Sequence, residues 1–545
     1  MRYKKIIMRN IFGFIIIFII ITTNILAGNI YYIDSTNGND QNNGLSTSAA
    51  WKTIGKANST LLPGDSVYIR AGIYNETISP KNSGSKGNYI TYKAYPGEIP
   101  IISRFQLLTN WVPHNGSIYW TNYAETWYSG IWEDTFDESG YYVCYWPKKS
   151  LEDVNGPGKY YRDVSRKLVY VWTKNGDSPN SHIMRMGASK GVSLTSKNYI
   201  VVDGIAFKWV QRGIKCVNCS HNIFKNLTIE YTVAFGIHLT DNSSYNYIIN
   251  NKIHNIGSWY YDEGDGINIG PDCHHNLIEG NDITVTAHNA ITSKGNSGHA
   301  SHQNIIQDNV VYDCGSSGLA PNVYPYREVW RRNKSYRHTG AGLQTDSSNN
   351  IICNNIFRFF GFLLHNDSEG IAVYAVSSSK TNNNHFFHNV IFHNDGEGIT
   401  INNWGESCSN NTFKNNIIAD NQDSNQIYFD TSGNLNNILS YNCIFKTFGT
   451  NIYVHWIGTH NLIWYETNYS SNFHNNVQDD PRFVNTNENN YHLQSGSPCI
   501  NTGNWLTVIT SSGSGNQIPV EDAGYFCDGF GIIDGDLIQL EGQTQ

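Results

Sequence analysis

The sequence predicts an all-β protein: a solenoid of stacked β-coils with a β-rich module inserted near its start. Two observations carry the solenoid. A glycine or small residue followed by apolar-x-apolar recurs at Gly213 (GIKC), Gly236 (GIHL), Gly266 (GINI), Ala290 (AITS), Gly318 (GLAP), Gly342 (GLQT), Gly370 (GIAV) and Gly398 (GITI), and again near Gln426 (QIYF). These openings are 23 to 30 residues apart. Asn-rich phrases such as HNLIEGNDI and NNIICNNIF lie between them, and Asn281, Asn309, Asn333 and Asn389 each precede an opening by nine residues. Short alternating strands and polar turns at such a period mean coils stacked on one another. A buried asparagine at a fixed turn position can satisfy backbone groups that would otherwise lack partners.

The elements follow in chain order. Residues 1–27 hold Arg2, Lys4, Lys5 and Arg9, then IFGFIIIFIII and a small residue at Ala27, the pattern of a secretory signal cleaved after Ala27. Removing those four basic residues moves the formal net charge from −8 to −12, which argues against nucleic-acid partners. No later segment is apolar for long enough to span a bilayer, so the mature chain is expected to be exported, without a membrane partner. Residues 28–105 read as a strand, a loop, a short helix from about Ala50 and a first coil, with the helix covering the apolar end of the stack. Residues 106–192 break the period with aromatic strands such as GYYVCYWP and KLVYVWTKNG, as expected of an inserted β-sheet or sandwich. Residues 193–503 are the main stack. Residues 504–545 form a tail ending on a polar, strand-like phrase with no partner following, consistent with a truncated product. The 10 cysteines are too sparse for a disulfide scaffold, and Cys216 falls at an inward position, as a packed thiol. Oligomeric state leaves no trace in the sequence.

Alternation along each strand sends the second and fourth residues after an opening outward. The second-residue column includes His238, Asn268, Gln344 and Thr400, and the fourth includes Lys294, Asn322, Asp346, Tyr374 and Asn402. A polar strip with so few charges suits a ligand-binding face better than a plain solvated sheet. Three turns end in acids: YYDEGDG (Asp262, Glu263, Asp265), HNDSEG (Asp367, Glu369) and HNDGEG. On the opposite edge the turns are lengthened by segments carrying His299, His302, Tyr324, Tyr326 and Arg327. Together these predict a cleft centred on Asp346, with His238, Asn268, Asn322, Gln344, Tyr374, Asn402, Tyr324 and Arg327 as binding residues. No cofactor motif is present; Asp262, Glu263 and Asp265 are the one set suited to Ca²⁺.

The arrangement resembles the β-xylosidases whose right-handed parallel β-helix is interrupted near its start by a β-sandwich. In that family a G-x-x-x-D strand places a nucleophilic aspartate, and GLQTD puts Asp346 at the matching position. The family's acid/base glutamate falls where this chain has Tyr374. The resemblance implies the right-handed fold and a carbohydrate poly- or oligomer as partner. The expected function is then a secreted glycoside hydrolase, with Asp346 as nucleophile or base and Glu369 or Asp265 as proton donor. A flat ladder would set Asp346 and Glu369 roughly 17 Å apart, at ~3.3 Å per residue and ~4.8 Å per strand. The alternatives are a lyase or epimerase on a uronate polymer with Lys294 as base, and a non-catalytic glycan-binding protein.

Overall fold

The computed structural model describes residues 28–124, 130–136, 142–187, 189–257, 264–358, 369–375, 380–403, 407–421, 425–430, 436–448, 452–455, 457–512 and 517–541. The signal-like segment, Asp262, Glu263 and Asp367 therefore lie outside the described residues. No described helix is long and apolar enough to cross a membrane.

Three long sheets, of 14, 12 and 12 strands, wrap a continuous apolar core. The strands of successive coils pair in parallel, one rung apart: Leu277↔Ile305, Ile305↔Val329 and Val329↔Ile351 in one sheet, Ile253↔Ile283 and Ile283↔Val311 in another. The fold is a right-handed parallel β-helix carrying a β-sheet insertion. The opening glycines are where rungs approach most closely. A Cβ on Gly370 would meet the Gly398 carbonyl oxygen at 2.8 Å and an Ile391 methyl at 2.3 Å.

Asparagines stack along two turns inside the coil. In one series Asn281 Nδ2 donates to Asn309 Oδ1 at 2.9 Å and to the Ile248 carbonyl at 3.0 Å, while its backbone N–H donates to Asn309 Oδ1 at 2.9 Å. The pattern repeats through Asn309, Asn333, Asn355 and Asn389. The second series runs Asn246, Asn276, Asn304, then Glu328 in place of an asparagine, then Asn350 and Asn384. Buried turns thus leave few backbone groups unpaired.

Both ends of the core are plugged. Helix α1 (Ile54–Thr60) is N-capped by Thr53 and buries Ile54 and Ala57 against the first coils. Helix α2 (Leu462–Asn468), N-capped by Asn461, buries Leu462 and Tyr465 at the other end. The inserted module is largely antiparallel, with one parallel pair between Trp146–Lys148 and Lys159–Asp163, and its 4-stranded and 5-stranded sheets meet at Leu108, Tyr123, Ile131, Tyr145, Val169 and Met184. It begins with strand Phe105–Leu108 and ends with Met184–Gly187; Lys190–Thr195, expected to belong partly to the insert, is already a solenoid rung. Trp132 packs with Trp209, Tyr231 and Val233, seating the module on the corner that leads into the Gly213 and Gly236 openings.

The tail, expected to end unpartnered, folds back over the 14-stranded sheet. Leu506, Tyr525 and Cys527 cover Leu277, Ile305, Val329 and Ile351, and Asp536 pairs with Arg331 at 2.5 Å. All ten cysteines are free thiols, and Cys216 is buried.

Candidate functional site

One sheet carries the strip. Register sets Lys215↔His238, His238↔Asn268, Asn268↔Thr292 and Thr292↔Ala320 in one outward column, and Gln344↔Ala372 and Ala372↔Thr400 further along it. Beside it run Lys294↔Asn322 and Tyr374↔Asn402, with Asp346 on the rung between Asn322 and Tyr374. A third column, missed by the strand-alternation argument, lies at the edge just before each opening. Gly236, Gly266, Ala290, Gly318, Gly342 and Gly370 donate their N–H groups to the carbonyls of Asp265, Asn289, Ser317, Ala341, Glu369 and Glu397 respectively. The acids of the repeated turns therefore share a column because the backbone ladder aligns them.

Asp346 faces this strip. Its neighbours Thr345 and Ser347 turn inward, their hydroxyls 2.9 Å apart, and Asn350 of the interior series donates to Ser347 Oγ at 2.8 Å. The Asp346 carboxylate accepts the N–H of Val323, while its side of the strip is so closely covered that the residue is only 3% exposed. Burial pushes its pKa up to about 6, the Val323 hydrogen bond opposing. Val323 and Tyr324 both have left-handed backbone, φ 47° and 73°. That conformation is costly for a β-branched residue, and such strain gathers at ligand sites.

Glu369 is drawn along the strip by Tyr374, whose hydroxyl donates to Glu369 Oε1 at 2.9 Å. Tyr374 thus holds Glu369 at the start of its own rung, one rung from Asp346. Asp265 is placed differently. It lies three rungs from Asp346, ~14 Å along the stack at ~4.8 Å per rung, so the two acids do not form a pair across one bond. It is 2% exposed and fully engaged: His288 Nδ1 donates to Oδ1 at 2.7 Å, the Asn289 N–H to Oδ1 at 3.1 Å and Asn268 Nδ2 to Oδ2 at 2.6 Å. Asp265 thus holds His288 and Asn268 in place. His288 has no counterpart in the strand columns, and nothing in the sequence singled it out.

The amides of the strip are unusual in what they lack. Asn268 Oδ1, Asn322 Oδ1, Asn402 Oδ1, Thr400 Oγ1 and His238 Nδ1 are buried with no hydrogen-bond partner among the described residues. Each such group costs about 1–3 kcal/mol. They gather on one outward face, open to an incoming hydrogen-bonding group. Gln344 accepts from Ser317 Oγ at 3.2 Å. Column two continues past Thr400 to Tyr428 and Tyr453, stacked at 4.8 Å and 12°.

Lys294 is exposed at the strip's edge. Tyr324 sits in the turn over Asp346, but Arg327 does not reach the strip: it occupies the next turn, its N–H on the Asn349 carbonyl, beyond the stacked rings of His302 and Tyr326. His299 pairs with Asp272 at 2.8 Å. Among the described residues no group of three or more His, Cys, Asp or Glu could hold a metal ion, and the Ca²⁺ set is only partly described.

Residues 169–322 match the family described as right handed beta helix region. The chain is 38% identical over 77 residues to the uncharacterized protein YwoF of Bacillus subtilis (strain 168); the match covers 14% of this chain and 16% of that protein. Among solved structures, the complex of XylC with xylose has a TM-score of 0.49 at 14% identity, covering 84% of this chain and 87% of that one. The GH136 lacto-N-biosidase from Eubacterium ramulus has a TM-score of 0.45 at 15% identity, covering 77% and 64%. Pectate lyase Pel9A has 0.39 at 15%, covering 91% and 96%.

Proposed function

We propose that this protein is an exported, carbohydrate-active enzyme, a glycoside hydrolase whose cleft lies on the outward face of the strip. The observation that carries the reading is Asp346: a carboxyl withdrawn from water on an outward face that also holds amide oxygens and a hydroxyl with no hydrogen-bond partner among the described residues. Sugar hydroxyls both donate and accept, so a glycan laid across Asn268, Asn322, Thr400 and Asn402 would satisfy these groups. The GLQTD match supports the choice of Asp346.

In this reading the ionised Asp346 carboxylate serves the anomeric carbon, as nucleophile or through an activated water. Glu369, held by the Tyr374 hydroxyl, supplies the proton to the departing oxygen. A pKa near 6 keeps Asp346 ionised at neutral pH while leaving it basic enough to act. Because Asp346 is so deeply covered, substrate access requires the Val323–Tyr324 turn to shift. The test is release of new reducing ends from a panel of plant and algal glycans by wild type and by Asp346→Asn. Loss in the variant supports the assignment; full activity in the variant removes it.

A further inference from the structure

Charge is unevenly spread along the strip, with the engaged Asp265 carboxylate one rung from His238. Asp346, Glu369 and Glu397 stand towards one end. The other end gathers cations: Lys190 and Arg212 on adjacent rungs of the column preceding the openings, then Lys215 beside His238, then Lys294 two rungs beyond His238. Arg212, Phe235 and His238 pack together, with Lys190 and Lys215 on adjoining rungs and Lys294 exposed further on. The Arg212 guanidinium lies 5.3 Å from the centre of the Phe235 ring, and that ring lies 4.5 Å from the His238 ring. Lys190 is held near Arg212 and Lys215, and both depress its pKa along with burial. Burial, and then the positive charges of Arg212, Lys215 and Lys294, push the His238 pKa down to about 3. His238 Nδ1 and, one rung on, Asn268 Oδ1 are buried without partners.

Four cations drawn together against their mutual repulsion are out of character for a chain of net charge −8. Surface lysines normally disperse, and a like-charge cluster on a ligand face focuses field onto an anion. The inserted module, seated at Trp209, Tyr231 and Val233, borders this end.

We infer that the Lys190–Arg212–Lys215–Lys294 end of the strip is a subsite for a negatively charged group on the glycan, a sugar carboxylate or a sulfate ester. The inference rests on the strip being a glycan cleft and adds the substrate class: an acidic oligo- or polysaccharide. His238 lies four rungs and Lys294 two rungs from Asp346, ~19 Å and ~10 Å at ~4.8 Å per rung, so the charged group belongs to a sugar away from the bond that is cut. His238 stays neutral there and offers its ring nitrogens as hydrogen-bond partners rather than as a fifth cation.

The test measures binding rather than turnover, on Asp346→Asn so that no ligand is consumed. Polygalacturonate and alginate supply carboxylates, a carrageenan supplies sulfates, and unsubstituted xylan and mixed-linkage glucan are neutral controls. The expected result is tighter binding of an acidic glycan than of either neutral one, weakened by salt, and weakened about 10-fold or more in Lys215→Gln/Arg212→Gln. Lys215→Arg should restore part of the lost affinity if Lys215 alone is replaced. The carboxylate and sulfate arms identify which anion is preferred. Preference for neutral glycans, or acidic binding unchanged by the double substitution in a variant that melts like the parent, would overturn the subsite. Either result leaves the hydrolysis proposal standing, because that proposal is read from reducing ends released by the wild type.

Discussion

Glu328 gives a quantitative test of how the coil interior is built. It occupies an interior turn position that Asn304 and Asn350 hold on the neighbouring rungs, and it is fully buried. Its carboxyl accepts from Ser293 Oγ at 2.7 Å, Asn304 Nδ2 at 2.7 Å and Trp330 Nε1 at 3.1 Å. These neutral donors only partly offset burial, which pushes its pKa from 4.5 up to about 7. A carboxyl whose pKa is raised on folding binds its proton more tightly in the native state. Its contribution is therefore fully present below the unfolded value near 4.5 and is lost as pH rises through about 7. At ~1.4 kcal/mol per pH unit, the loss across that window is roughly 3 kcal/mol. Glu328→Gln cannot ionise. At pH 5 it should match wild type or fall short by about 1 kcal/mol, since its amide nitrogen cannot accept from Trp330. At pH 8 it should be the more stable by about 2–3 kcal/mol. Urea unfolding of both proteins at pH 5 and pH 8, followed by tryptophan fluorescence, gives the difference of differences and cancels every other carboxyl. A stability gap that does not move with pH, or that moves the other way, would refute the reasoning.

Four further outcomes follow from the same structure. Asp346→Asn should gain stability over wild type by roughly 1.4 kcal/mol between pH 5 and pH 8, because a carboxyl raised from 3.8 to about 6 by burial destabilises the fold once ionised and only the upper part of that window lies above pH 5; melting curves at the two pH values check it. Asn309→Ala removes the acceptor for the Asn281 N–H and Nδ2 and the donor to the Ile278 carbonyl. It should cost about 3–5 kcal/mol by denaturant titration, from groups left unpaired in the interior. Glu369→Gln should lower kcat about 100-fold or more on natural glycans but far less on aryl glycosides with acidic phenols, which leave without a proton. Tyr374→Phe should lower kcat in the same substrate-dependent manner by a smaller factor, with KM little changed, as kinetics on both substrate types would show.

The scaffold was legible because parallel rungs repeat one phrase. The nine-residue interval from Asn309 to Gly318 and the apolar-x-apolar openings set coil length, register and the two outward columns that contain His238 and Asp346. The edge column of Asp265, Glu369 and Glu397 was hidden, since alternation assigns nothing to residues at a turn. The reach of the Tyr374 hydroxyl back along its own rung to Glu369 was hidden for another reason: side-chain direction does not appear in strand spacing. Lys190–Thr195 carries the same opening, GVSL, but follows the aromatic insert with no Asn phrase before it, so the rung was assigned to the wrong module. Glu328 carried a readable signal, an acid at an asparagine's position before an apolar pair, obscured by the lengthened NVYPYREVW turn. The tail's role depended on Leu277, Ile305, Val329 and Ile351 facing outward on one sheet, an apolar column that requires a cover. Arg327 was misplaced because turn length says a segment leaves the sheet, not which way it goes.

The most direct test of the glycan cleft is the initial rate of reducing-end release by wild type and Asp346→Asn on whichever glycan the wild type cuts fastest. The structure predicts a fall of 100-fold or more in a variant that melts no lower than its parent. An undiminished rate in a folded Asp346→Asn would contradict the assignment of chemistry to this carboxyl.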